Sequence, residues 1–304
     1  MTRCPGPLEL LHPDGLARRA VVLGGACPAR LRPGAPEGEP KWDLVVIAPT
    51  AAEARSRDWV ADSVRRTVGG LADDGLAYVL GAAGARRRIA GALEREGLRT
   101  SGRFAHLPDI ASSELIVPLR PRAARAATGR LERPYARQLA RAALAVPGAA
   151  ALIGRCGDPI GIVARRHAAR PLAMWLGAAP DAEGIGSIRT RWRADRVRTL
   201  VHLISGEGAF VKLASGAGGE GAVRRECAAL ARLGAAARAS GARIPESELI
   251  GDREACPALR LGMVPGVPAR AILARSPSRR DEILAAVGRW LEAWSRGTRR
   301  VARL

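Results

Sequence analysis

The residues best suited to do chemistry are Lys212 and Glu226. Lys212 interrupts an otherwise apolar, strand-like run, AFVKLA (209–214), and Glu226 lies inside AVRRECAALARLGAAARASG (222–241), which has the spacing of an amphipathic helix. A compact ammonium with three donors suits a cluster of phosphate oxygens. A carboxylate beside it keeps it charged when it is partly buried. The chain holds 49 lysines and arginines, yet only Lys41 and Lys212 are lysine. Keeping lysine at an apolar strand position in such a chain implies a specific use.

Other chemistries find little support. The five cysteines, Cys4, Cys27, Cys156, Cys227 and Cys256, form no CxxC and no cluster with metal-ligand spacing. His12, His106, His167 and His202 are equally dispersed. The thiols read as incidental groups of a reduced, cytoplasmic protein. A net charge of +20 raises nucleic acid as a partner. The charge is spread evenly, however: residues 1–168 carry 26 basic and 16 acidic side chains, and the remainder 23 and 13. Aromatic residues make up 3%, so stacking platforms are scarce. A GC-rich coding bias explains the arginines, and no specific nucleic-acid partner is expected. No uncharged apolar run of about 18 residues occurs, so no membrane span is expected either. The first thirty residues lack the pattern of a signal peptide.

The elements that must position the pair follow from hydrophobic period. Strands are expected at 20–24 and 42–49, a turn at Asp73-Asp74-Gly75 leading into a third strand within 73–81, two more strands within 98–120, and another at 159–166. Helices at 51–72, 84–97 and about 123–146 alternate with them, which predicts an α/β layered domain with a largely parallel sheet. A Pro/Ala/Gly-rich stretch at 169–183 reads as a linker. Beyond it, 186–193 and 197–204 read as paired strands, followed by a turn at 205–208, the Lys212 strand and the Glu226 helix. A strand from 244, another at 258–261 and a helix at 279–296 complete the chain.

This second half, residues 184–304, resembles the aminoglycoside phosphotransferase and choline-kinase-like family. RVRTLVHLISGEGAFVKLA is similar to its second and third strands, and EGAVRRECAAL to its "REaalL" helix. IPESELIGD is like its "vPrpl" strand, and ALRLGMVPGVPARAIL resembles its hinge. The resemblance implies a protein-kinase-like N-lobe that binds ATP. Lys212 would take the nucleotide-lysine position, Glu226 the glutamate position, and the main chain of Gly262, Met263 and Val264 would meet the adenine edge. The phosphoryl acceptor would be a hydroxyl on a small molecule or sugar. The family's H-G-D loop and magnesium carboxylates have no counterpart in 1–304. The chain is therefore expected to be inactive by itself, either as a fragment whose missing lobe would bring magnesium or as a scaffold.

Residues 15–168 resemble the later half of a class I S-adenosylmethionine-dependent methyltransferase. AVVLGG is like the first strand and glycine turn, WDLVVIAP like the strand opening the active-site face, and DDGLAYVLG like the "pGG" strand. LEREGLRTSGRFAHLPD matches the last helix and the "aGF" strand. Gly24, Gly25 and Asp43 are the candidates for holding S-adenosylmethionine. Only about 18 residues separate the turn from Trp42, which leaves no room for the missing strand–helix units. The expected fold class is thus α/β and α+β in two domains: a shortened, non-catalytic, Rossmann-like methyltransferase sheet over 1–168, then the kinase-like N-lobe over 184–304. The alternative functions are an S-adenosylmethionine-dependent methyltransferase and a non-catalytic scaffold built from two degenerate enzyme folds.

Overall fold

The computed structural model describes residues 7–11, 19–33, 41–107, 109–110, 112–128, 160–166, 185–193, 196–204, 208–216, 218–240, 243–250, 257–264, 269, 272–273 and 276–301. The sequence WDLVVI has no polar alternation because both faces of its strand are covered. In β2 (Trp42–Ile47), Leu44 and Val46 point into one core while Val45 and Ile47 point into another. It pairs in parallel with β1 (Ala20–Leu23) and β3 (Leu71–Val79). Burial on both faces is the usual condition of parallel strands. The second core is closed by α2 (Arg57–Gly70) and α3 (Ala83–Arg95), through Val60, Val64, Ile89 and Leu93.

Local capping divides the helix expected at 51–72. Thr50 and Glu53 form a capping box that starts α1 (Ala51–Arg55), and Ser56 then accepts from the Trp59 N–H to start α2. The turn expected at Asp73-Asp74-Gly75 is instead an irregularity inside β3. Trp42 pairs with Leu71 but Leu44 with Leu76, so the extra residues bulge outward. Gly75 permits this because a Cβ there would stand 2.8 Å from the Trp42 carbonyl oxygen.

The remaining strands are β4 (Arg99–Leu107), β5 (Leu115–Pro118), β6 (Ile160–Arg165), β7 (Ile185–Arg193), β8 (Arg196–Leu203), β9 (Ala209–Gly216), β10 (Ser247–Ile250) and β11 (Ala258–Gly262). They join the first three in one mixed sheet of order β1-β2-β3-β6-β4-β5-β7-β8-β9-β11-β10. The further helices among the described residues are α4 (Pro121–Thr128), α5 (Gly219–Ser240) and α6 (Arg280–Val301). The continuation of the expected 123–146 helix and the 169–183 linker lie outside the described residues.

The expectation of a largely parallel sheet is corrected. Only β1–β2 and β2–β3 are parallel; all other neighbours run antiparallel. That expectation covered the first half, where β6 runs antiparallel to both β3 and β4, and the short connection from β4 to β5 leaves no room for a crossover, so these two strands must reverse. The two halves of the chain share this sheet, because β5 pairs with β7 through Leu115↔Arg189 and Ile116↔Ile188. They share a core as well: Leu44, Leu76 and Tyr78 belong to the same buried cluster as Val201, Val211 and Ala258. Among the described residues, no helix is long and apolar enough to cross a membrane.

Strand β6 is crossed by a buried polar chain. Tyr78 Oη on β3 shares a 2.7 Å hydrogen bond with His106 Nε2 on β4, and His106 Nδ1 shares one of 2.8 Å with Ser113 Oγ. Gly161 on the intervening β6 is the gap that admits the ring, since a Cβ there would lie 2.1 Å from Tyr78 Oη. Gly161→Ala should therefore cost about 1–3 kcal/mol, read as a lower urea midpoint with an unchanged m-value. Burial also pushes the His106 imidazole from 6.5 down to about 4. Below pH 6.5 the unfolded chain takes up a proton that the folded chain refuses until about pH 4. Stability should fall across that window by about 3 kcal/mol at most, and His106→Gln should flatten this part of the stability–pH curve.

Candidate functional site

Strand alternation decides what faces what in β7–β9. Val211 and Leu213 are in the central core, so Phe210, Lys212 and Ala214 must occupy the opposite face. That face is covered by α5. Its Val223, Cys227 and Leu230 pack with Phe210, Ala214, Leu259 and Leu261. Glu226 rides on the same helix, one turn after Val223 and beside Cys227. Lys212 Nζ donates to Glu226 Oε1, joining the strand and helix residues picked out in the sequence. Both side chains keep more than a third of their surface exposed, at 37% and 42%. A pair so open to solvent adds at most about 1 kcal/mol to stability, so its value lies in positioning.

The ion pair borders a pocket of about 300 Å³ between β7–β9 and α5. The register places its lining in two rows. One runs Arg189↔Leu200↔Lys212, and the next runs Arg191↔Arg198↔Ala214. Ala222 and Val223 in the first turns of α5 close the other side. Among the described residues, the charged lining is Arg189, Arg191, Arg198, Lys212 and Glu226. The arginines went unrecognised in the sequence, where the general excess of arginine concealed them. Their signal was present: in SIRTRWR, residues 189 and 191 fall on one face at strand period.

Gly262, Met263 and Val264 lie outside this pocket. Gly262 pairs with Ala209, three residues along β11 from the Leu259↔Lys212 pairing, or about 10 Å at strand rise. The Gly262 N–H donates to the Glu246 carbonyl at 2.8 Å, so it is not a donor for a ligand. Met263 and Val264 follow with 43% and 39% of their surface exposed, and Met263 packs close to Gly208 at the start of β9. Among the described residues, the pocket lining falls within 189–226, and α6 packs against α5.

In the first half, the candidate cofactor residues are engaged in the fold. Gly24 has φ +98°, and a Cβ there would lie 2.5 Å from the Ala48 carbonyl oxygen, so the glycine serves a tight turn against β2. The Gly25 N–H donates to Glu53 Oε2 at 3.1 Å. Asp43 accepts from the Arg19 N–H at 2.9 Å and from Arg19 Nη2 at 3.0 Å. These groups do not fit S-adenosylmethionine, because the turn amide and the carboxylate that would meet it already serve Glu53 and Arg19. Cys27 beside the turn is buried, which pushes its thiol up to about 11. A thiol held so high is a poor nucleophile. Among the described residues, no three His, Cys, Asp or Glu side chains stand together as metal ligands. Comparisons with protein-family models, curated proteins and solved structures find no match for the chain.

Proposed function

We propose that the second half of the chain is a nucleotide-binding module of the aminoglycoside phosphotransferase and choline-kinase type, which holds ATP or ADP by its phosphates. The observation that carries this reading is the Lys212–Glu226 ion pair at the mouth of a cationic pocket. In phosphoryl-transfer enzymes, a strand lysine braced by a helix carboxylate grips the nucleotide phosphates. The surrounding order of elements supports the reading: three antiparallel strands, the bracing helix, and a strand pair ending at Gly262. The base would lie toward Met263 and Val264, and the phosphates toward Lys212 and the arginines. With the Gly262 N–H engaged, the remaining main-chain groups of that segment would meet the adenine edge.

No His-Gly-Asp and no Asp-x-Asp occurs in 1–304. The function proposed for these residues is therefore to bind the nucleotide, and transfer to a small-molecule or sugar hydroxyl would draw on groups other than these. The first half is proposed as a methyltransferase-like scaffold without cofactor chemistry. Support comes from the parallel neighbours β1, β2 and β3, which carry the three quoted phrases, and from the engaged Gly25 and Asp43.

Calorimetric titration tests the proposal. ADP should bind the wild-type chain. Lys212→Met should weaken binding by about tenfold or more, since a charge-assisted contact is worth about 1.5–3 kcal/mol. The melting temperature should barely move, because the ion pair is half-exposed. Equal affinity of wild type and Lys212→Met for ADP would remove the chemical basis of the assignment.

A further inference from the structure

The two rows of the pocket differ in how their charge is met. In the row of Lys212, the ammonium donates to Glu226. In the next row Arg191 and Arg198 are direct cross-strand partners, and among the described residues no carboxylate pairs with either. Like charges directly opposite one another destabilise a strand pair. Both arginines are exposed, and their neighbours in the lining, Ala214 on β9 and Ala222 on α5, carry only a methyl group. An anion between the two guanidinium groups would turn their repulsion into attraction. Phosphate suits the place, because each planar fork of donors can meet two of its oxygens at once.

The position of this pair along the strands decides which phosphate it would meet. On β9, Ala209 pairs with Gly262, Lys212 lies three residues further on, and Ala214 two residues beyond that. At strand rise the arginine row is therefore about 7 Å past Lys212, on the side away from Gly262. A nucleotide with its base toward Met263 and Val264 runs its phosphate chain past Lys212 and ends at Arg191 and Arg198. We infer that these two arginines form the subsite for the terminal phosphate of a nucleoside triphosphate, so that the pocket grades nucleotides by the length of the phosphate chain. The inference rests on the nucleotide reading and deepens it. Lys212 serves the phosphates nearer the base, whereas the arginine pair is reached only by the end of the chain. The free pocket carries the repulsion between Arg191 and Arg198, and the terminal phosphate relieves it.

Calorimetric titration of the full chain with ADP, ATP and inorganic triphosphate, all at one magnesium concentration, tests the subsite. Wild type should bind ATP about tenfold or more tighter than ADP, since the terminal phosphate adds charge-assisted contacts. In the double variant Arg191→Gln/Arg198→Gln that ratio should fall to about threefold or less. Arg65→Ala, which removes a charge from the exposed side of α2, should leave the ratio as in wild type and so exclude a mere effect of net charge. ATP binding no tighter than ADP in wild type, or a ratio unmoved by the double variant, overturns the inference while leaving the nucleotide reading in place. Binding of triphosphate with no binding of ADP or ATP overturns the nucleotide reading and this inference with it, and so does absence of binding by all three. The ATP-to-ADP comparison uses the wild-type chain, so it stands even if a variant fails to fold.

Discussion

The candidate site depends on the side-chain alternation of β9. Val211 and Leu213 are fully or almost fully buried in the core that spans both halves of the chain. With those two fixed inward, Lys212 has one direction left, toward α5. A register slip by one residue would put the ammonium into the core and the two apolar side chains into the pocket, at a cost no local interaction could offset. The same logic runs across the sheet. Val201 is buried on the inner face of β8, which turns Leu200 and Arg198 outward. Ile188 is buried on β7, which turns Arg189 and Arg191 outward. The cationic wall is thus a consequence of how three strands bury their alternate residues. Helix α5 reads that wall with one residue, Glu226, because Val223, Cys227 and Leu230 dock it in a single orientation.

The continuity of the sheet gives this face its rigidity. Antiparallel β6 lies between β3 and β4, and the Tyr78–His106 hydrogen bond reaches over it at Gly161. Arg86 of α3 is fully buried and donates from Nη1 to the carbonyls of Gly81 and Ile160, each at 3.0 Å, so it binds the helix layer to the start of β6. Arg165 at the far end of β6 donates to the Leu11 carbonyl, and burial lowers its guanidinium to about 10. Strand β5 then passes this frame to β7, the first strand of the pocket. A change at Gly161 would act on the site only through this chain of pairings, whereas changes at Lys212 or Arg198 act on it directly.

Much of the fold was legible because local period and turn chemistry agreed with the final packing. β1, β2, β8, β9, β11 and α5 all lie within a few residues of where alternation or helical spacing put them. The failures have physical causes. Ser56 looked like one more residue of a long amphipathic helix, but its hydroxyl caps a new one. Asp73-Asp74-Gly75 has the composition of a turn, yet β2 holds the strand on both sides of it and the residues bulge. Strand direction was misread because the position of β6 between β3 and β4 is a long-range pairing that no local pattern encodes. At the site, Lys212 and Glu226 stood out because lysine is rare in this chain. Arg189, Arg191 and Arg198 did not, because arginine is everywhere in it. Their common face becomes visible only once the register of three strands is known.

Two faces compete as the place where this chain meets a small molecule: the cationic pocket under α5, and the glycine turn after β1. Hydrogen–deuterium exchange with saturating ADP compares them in one experiment. The account predicts slowed exchange in β8, β9 and the first turns of α5, with residues 24–26 and 48–50 unchanged. Protection at the β1 turn, or none around Lys212, would contradict it.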